Sequence, residues 1–446
     1  MEKNKTHYYK ELLFIGVPVI IGQLGTIILG FADTLMIGRH GTAELAAAGF
    51  VNGVYGLLLL FYLGFSYGLT PIVGKLYGMG RKEEIGQKVK NSILANLLVG
   101  LLLVLLMVVL YVNIGSIGQP EELLPLIKPY FMVNLISVLF VGLFNTLKQF
   151  FDGIARTKVA MWVMLLGNVI NIFFNWMLIY GVGPFPELGL LGAGISTLGS
   201  RIFMALALVA ILLVGQRFEQ YRVGIMEGKV DKDDFIELNR LGWPVALQLG
   251  METAAFSLSA VMAGWLGTVS LAAHQVMITV SQLFYLVLSG LASAMSIRIS
   301  HFVGQKDYEA VKANAADGFR LVLFIAAVMS VPVLLCRNYI GMLFSDSVEV
   351  QQIVVMLVIV LIVYQFGDGL QYTFANALRG IACVRPMVLY AFIAYFVISL
   401  PLGYFLSFIM ELHILGIWMA FPVGLTVAGI LYWLRFRKEL RKIENQ

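Results

Sequence analysis

Charge is what this sequence has least of. Of its 446 residues only 13% are charged, about half of the roughly 25% found in soluble domains, while 59% are apolar and the mean hydropathy is +0.86. A water-soluble globule is excluded. Cysteine is nearly absent, and a disulfide framework with it: Cys336 and Cys383 fall toward opposite membrane faces in the topology below, too far apart to bridge. The five histidines make no His/Cys set with metal-ligand spacing, and His274 and His301, each alone near a helix end, read as structural. A Gly-rich loop ending in Lys-Ser/Thr and a Gly-x-Ser-x-Gly elbow are both missing, so direct ATP use and hydrolytic catalysis have no machinery and the chain is read as a non-enzyme without a cofactor. The net charge of +5 lies in short loops between apolar runs, which argues for membrane orientation rather than a nucleic-acid partner.

What is present is length of apolar run. Stretches at 12–37, 47–74, 91–112, 123–147, 159–180, 190–214, 241–264, 271–297, 317–336, 350–376, 386–409 and 414–434 are each long enough to cross a bilayer as a helix. The first follows Lys3, Lys5 and Lys10, is too long for a signal-peptide core and lacks a small-residue cleavage site, so it is kept as a span. With the N-terminus inside, the cytoplasmic segments hold 27 Lys and Arg against 3 outside, which places both termini in the cytoplasm of a multi-pass cell (inner) membrane protein. Continuous rather than alternating hydrophobicity excludes a β-barrel. The polar stretch 216–240 is read as a cytoplasmic linker, a tether between an N-terminal lobe, 1–215, and a C-terminal lobe, 241–446.

Those halves repeat. Shifted by 226 residues, Glu11-Leu12, Gly16, Pro18 and Val19 fall on Glu237-Leu238, Gly242, Pro244 and Val245, and Gly41-Thr42 with Leu45-Ala46-Ala47 fall on Gly267-Thr268 with Leu271-Ala272-Ala273. Shifted by 227, Gly142-Leu143 and Gly153-Ile154-Ala155 fall on Gly369-Leu370 and Gly380-Ile381-Ala382. Repeated small residues imply repeated close packing. Six spans per half, an even number, predict an all-α membrane protein of two six-helix lobes related by a pseudo-two-fold axis along the membrane normal.

Only three acids lie well inside spans: Asp33, Glu252 and Asp368. None is copied by the repeat, so a symmetric frame carries asymmetric polar chemistry. An intramembrane carboxylate is costly, and neighbouring helices that satisfy it are the plain alternative to a functional role. Glu252 and Asp368 belong to one half at similar depth; brought together in a low dielectric, they call for a proton or bound cation. Tyr364 lies one turn before Asp368 on the same face, either as a ligand or as an ordinary buried aromatic. Asn168, Asn171 and Asn175 form one stripe of the fifth run, which either joins helices or faces a polar cavity with Asp33 across it. Arg201, deep in the sixth run, is expected to find an interior ion pair.

The segments Ala32-Asp33-Thr34-Leu35-Met36-Ile37-Gly38, Gly41-Thr42-Ala43-Glu44-Leu45-Ala46-Ala47 and Ala377-Leu378-Arg379-Gly380, on twelve duplicated spans, resemble the MATE family of multidrug and toxic compound extrusion transporters over nearly the full chain. Glu252, the stretch Tyr364-Gln365-Phe366-Gly367-Asp368-Gly369-Leu370-Gln371, and Asn171 to Asn175-Trp176 followed by Pro186-Glu187-Leu188-Gly189 resemble its NorM-type branch. The resemblance implies cation-coupled efflux of small organic cations and drugs by a functional monomer in contact with membrane lipid. Glu252, Asp368 and Tyr364 would carry the coupling Na+ or H+, with Glu252 and Asp368 as the Na+ ligands under sodium coupling. Asp33, Asn168, Asn171 and Asn175 would line an N-lobe cavity. Where the DinF-type branch has a second N-lobe acid this chain offers asparagines. The alternative, a lipid-linked oligosaccharide flippase of a related superfamily, is expected to need several cavity cations, and only Arg201 is available.

Overall fold

The computed structural model describes residues 2–445 except Ile117 and Gln119; of residues 2–7, including Lys3 and Lys5, it describes the backbone alone. Twelve helices among the described residues are long and apolar enough to span a bilayer. They are α1 Tyr8–His40, α2 Thr42–Gly78, α3 Lys82–Val112, α4 Glu121–Gly153, α5 Thr157–Tyr180, α6 Gly189–Val214, α7 Lys232–Trp265, α8 Thr268–Gln305, α9 Tyr308–Leu335, α10 Val348–Gly380, α11 Arg385–Ile409 and α12 His413–Glu444. Each apolar run has become one helical span, the second interrupted by a turn at Tyr67 and Gly68, because in hydrocarbon every backbone polar group must be paired within its own segment. Several begin or end beyond the run, as α3 does at Lys82-Glu83-Glu84. Helical hydrogen bonding does not stop where the apolar residues stop, and acids in a first turn favour the start.

The chain forms two compact units: 21–246, and 1–20 together with 247–446. The change of unit inside α1 follows Ile20 and the change inside α7 follows Ala246, positions 226 apart, two residues beyond Pro18 and Pro244. In the 21–246 unit the core is built on Ile37, Val51, Tyr55, Met107, Phe131, Val138 and Ile179. In the other it is built on Met277, Phe284, Val354, Leu361, Tyr395, Trp418 and Leu425. Apolar side chains also cover the outside, Phe31, Val112 and Leu343 among them, as lipid requires. Both cysteines are free.

The duplication extends to backbone detail. Ala155 and Ala382, 227 apart, both adopt left-handed φ, 56° and 58°. Each closes its helix with the same bonds: Ala155 N to Asp152 O, 2.9 Å, against Ala382 N to Arg379 O, 2.8 Å, and Arg156 N to Phe151 O, 2.8 Å, against Cys383 N to Leu378 O, 2.9 Å. Alanine pays roughly 1–2 kcal/mol in that conformation where glycine does not. Ala155→Gly and Ala382→Gly are therefore expected to raise stability by about 0.5–1 kcal/mol each, after glycine's larger unfolded-state entropy is subtracted. Thermal unfolding of the purified variants checks this, and a lowered midpoint for both would contradict it.

Residues 216–240 lie within the 21–246 unit. A short helix, Glu219–Glu227, rests on the start of α3 through three glycines. A Cβ on Gly86 would stand 2.1 Å from the Tyr221 carbonyl oxygen, one on Gly224 2.0 Å from that of Glu83, and one on Gly228 2.9 Å from Gln87 Cβ. Beyond it Lys88 binds Asp234 at 2.7 Å and also Glu237, and Asn91 Nδ2 donates to Asp234 Oδ2 at 2.7 Å.

Candidate functional site

Two polar clusters hold the residues singled out by the sequence, one in each unit. In the 21–246 unit, α5 and α6 pack closely because Gly167 admits Met204 and Gly192 sits against the Leu178 carbonyl. That contact aims the asparagine stripe at α1. Asn175 Nδ2 donates to Asp33 Oδ1 at 2.5 Å. The hydrogen-bond network orients the Asn171 amide so that its nitrogen donates to the same oxygen at 3.0 Å and its oxygen accepts from Thr197 Oγ1, 3.1 Å, and Thr197 N, 3.2 Å. Asn168 Nδ2 lies against Gly25 of α1 with no hydrogen-bond partner among the described residues. The stripe thus does meet Asp33, and it joins helices as well. Asn175→Leu leaves Asp33 one donor short, with an expected loss of about 1–3 kcal/mol; an unchanged unfolding midpoint in detergent would count against the bond.

Arg201 departs from expectation. Its described hydrogen-bond partners are neutral: Nη1 donates to Tyr55 Oη at 2.7 Å, Ser137 Oγ at 2.5 Å and Asn134 Oδ1 at 3.4 Å, with the guanidinium over the Tyr55 ring at 4.9 Å. Hydroxyl and amide dipoles with an aromatic face hold the guanidinium, while a carboxylate, Asp33, lies within electrostatic range without a described hydrogen bond to it.

In the other unit, α10 is drawn onto α12 where Gly367 meets Thr426 and Gly429 meets Leu370. Asp368, next to Gly367, is thereby buried to 2% exposure. Glu252 of α7 is 8% exposed and lies within electrostatic range of Asp368, so the two acids share one buried cluster. Their surroundings differ. Glu252 Oε1 accepts from Tyr372 Oη at 2.5 Å, and Oε2 accepts from Gln248 Nε2 at 3.1 Å and Gln371 Nε2 at 3.5 Å. Among the described residues none makes a side-chain hydrogen bond of this kind to Asp368. Behind Gln248, Arg379 Nη2 donates to its Oε1 at 2.6 Å.

Tyr364 is buried beside this cluster in an aromatic box with Phe256, Trp418 and Phe421, ring centroids 6.0–6.5 Å away. The hydroxyl that reaches Glu252 belongs to Tyr372, one turn past Asp368 on the stripe Tyr364–Asp368–Tyr372, so extending the same four-residue step finds it. Gln248, Gln371 and Arg379 were missed: a search for intramembrane acids passes over amides, and Arg379 sits at a helix end where basic residues are ordinary. His274 is buried against Trp418, 5.7 Å between rings, and neither of its ring nitrogens has a hydrogen-bond partner among the described residues.

Comparison with known proteins decides the family. The MatE family model matches residues 18–177 and 244–405, most of the chain and once per half. The chain belongs to the MATE family. Over 438 residues, 96% of this chain and 95% of the relative, it is 30% identical to the multidrug resistance protein NorM of Photobacterium profundum. A mutant of the Vibrio cholerae MATE transporter VcmN superposes with a TM-score of 0.89 at 18% identity, covering 100% of both chains. A eukaryotic MATE transporter gives 0.85 at 19%, covering 99% of each. Among MATE relatives the all-helical fold with twelve membrane helices is shared, and this MATE chain is a multi-pass membrane transporter rather than an enzyme. The two matched segments begin at Pro18 and Pro244, 226 apart, the spacing of the repeat.

Proposed function

We propose that this MATE protein is a cation-coupled multidrug efflux antiporter, exporting organic, often cationic compounds by alternating access in exchange for Na+ or H+. The burial of Glu252 and Asp368 within electrostatic range of each other is the observation that carries the reading. Two acids in one low-dielectric cluster are a place where a small cation or proton is bound and released. Inward passage of one such charge releases about 2.3 kcal/mol per 100 mV when the exported compound is neutral, and the cation's concentration gradient supplies about 1.4 kcal/mol per tenfold ratio whatever the compound's charge. Asp368, Glu252 and the adjoining Tyr364 form the coupling site; under sodium coupling the two carboxylates are the Na+ ligands. Asp33, Asn168, Asn171 and Asn175 form the counterpart that meets the drug. A ligand shifts a conformational equilibrium only by its differential affinity, so the carboxylates must favour the coupling ion in one state and drug in the other.

In this reading the two repeat halves, joined through 216–240, are the bodies that rock; the protein works as a monomer in the inner membrane with both termini cytoplasmic and needs no cofactor beyond the coupling ion. The scarcity of buried basic residues favours it over a flippase for lipid-linked oligosaccharides. The test is ethidium efflux from proteoliposomes with a Na+ gradient or a pH gradient imposed separately. Export driven by one of them supports the reading, and export indifferent to both overturns it.

A further inference from the structure

The two carboxylates of the 247–446 cluster are unequal, and the difference lies in what stands behind Glu252. Arginine keeps its proton at any pH a protein meets. Arg379 donates to the oxygen of Gln248, whose nitrogen donates to Glu252. A glutamine is suited to that place, since one end of its amide accepts from a cation while the other donates to an anion. With Tyr372 and Gln371 also donating, every described hydrogen-bond partner of Glu252 offers it a proton, an arrangement matched to an ionised carboxylate. Asp368 has no such set, though it is more deeply buried.

We propose that Arg379, acting through Gln248, is the resident counter-charge of Glu252, which leaves Asp368 as the exchanging group and sets the site to one monovalent cation per transport cycle. This rests on the antiporter reading of the same cluster. With both acids ionised, the guanidinium cancels one of two negative charges. A single Na+ or H+ then makes the cluster neutral, whereas a divalent ion or a second monovalent ion leaves it positive in a low-dielectric interior, which is costly. The device is confined to this half: the repeat partner of Gln248 is Gly22, and that of Arg379 is Asp152.

The experiment uses the full-length protein in proteoliposomes, membrane potential clamped at zero, with ethidium as probe and a Na+ or pH gradient applied. At static head the dye ratio scales as the cation ratio raised to the number of cations exchanged. For the unaltered protein a power of one is expected. Arg379→Gln should move it toward two, and Arg379→Lys should restore one. Glu252→Gln leaves Arg379 to neutralise Asp368, and driven export should fall about tenfold; the double change Glu252→Gln with Arg379→Gln should recover at least about threefold of that loss, a non-additivity that a merely structural role does not give. A power of two in the unaltered protein overturns the proposal even if Arg379→Gln does not fold, as does a double variant no better than Glu252→Gln. If neither gradient drives the unaltered protein, the antiporter reading falls and takes this assignment with it.

Discussion

Asp368→Asn is expected to abolish gradient-driven export while the protein remains folded and inserted. The magnitude follows from the coupling: one cation exchanged for one singly charged ethidium moves no net charge, so the cation gradient alone drives the dye, and a tenfold gradient, about 1.4 kcal/mol, holds about a tenfold dye ratio. Without the exchanging carboxylate that ratio collapses toward one. The side chain is isosteric and Asp368 has no side-chain hydrogen bond to lose among the described residues, so the unfolding midpoint should change little or rise as a buried ionisable group becomes neutral. Accumulation of ethidium in inverted vesicles, read beside thermal unfolding, separates the two effects. Undiminished driven export in Asp368→Asn would remove the coupling role from this residue.

The second large effect is structural. At Gly86 an added methyl would stand 2.1 Å from the Tyr221 carbonyl oxygen and 2.7 Å from the Gly224 Cα, both backbone atoms that cannot rotate aside. Gly86→Ala must lift the Glu219–Glu227 helix from α3 or distort both, at a cost of about 1–3 kcal/mol or more. The expected result is a lowered unfolding midpoint together with faster protease cleavage around 228–231. Gly53→Ala in α2 is the control, since no atom lies within 4 Å of its Cβ position. Equal behaviour of the two variants would mean that the short helix is not held by this contact.

The parts of this structure legible in the sequence are those set by bilayer physics. Twelve helices could be counted because a span must be apolar along its whole length, and the duplication could be read because close packing leaves glycine and alanine at matched positions, Ala155 and Ala382 among them; that both take left-handed φ is seen only in the structure. Helix ends such as Lys82 were not legible, since a helix continues into water with no apolar signature. Within the candidate sites, intramembrane charge drew attention to Asp33, Glu252 and Asp368, and the asparagine stripe does turn to Asp33. Charge alone did not reveal the partners. Tyr372, Gln248 and Gln371 are side chains whose roles depend on which helix faces α7, and Arg201 satisfies its guanidinium with hydroxyls that no one-dimensional pattern marks. His274, read as structural, is fully buried with its ring against that of Trp418.

Membership of the first twenty residues in the unit otherwise formed by 247–446 bears on biogenesis. Glu11 pairs with Arg298 at 2.5 Å, the same guanidinium donates to the Tyr8 carbonyl at 3.1 Å, and Tyr9 reaches Asp317. These partners are about 300 residues downstream and do not exist when the amino end leaves the ribosome. At roughly 5–20 residues per second, the opening segment waits on the order of fifteen seconds to a minute for them. During that interval its polar anchors are unclaimed, and the nascent chain depends on the insertion machinery or on lipid headgroups to shelter what the ninth span will later complete.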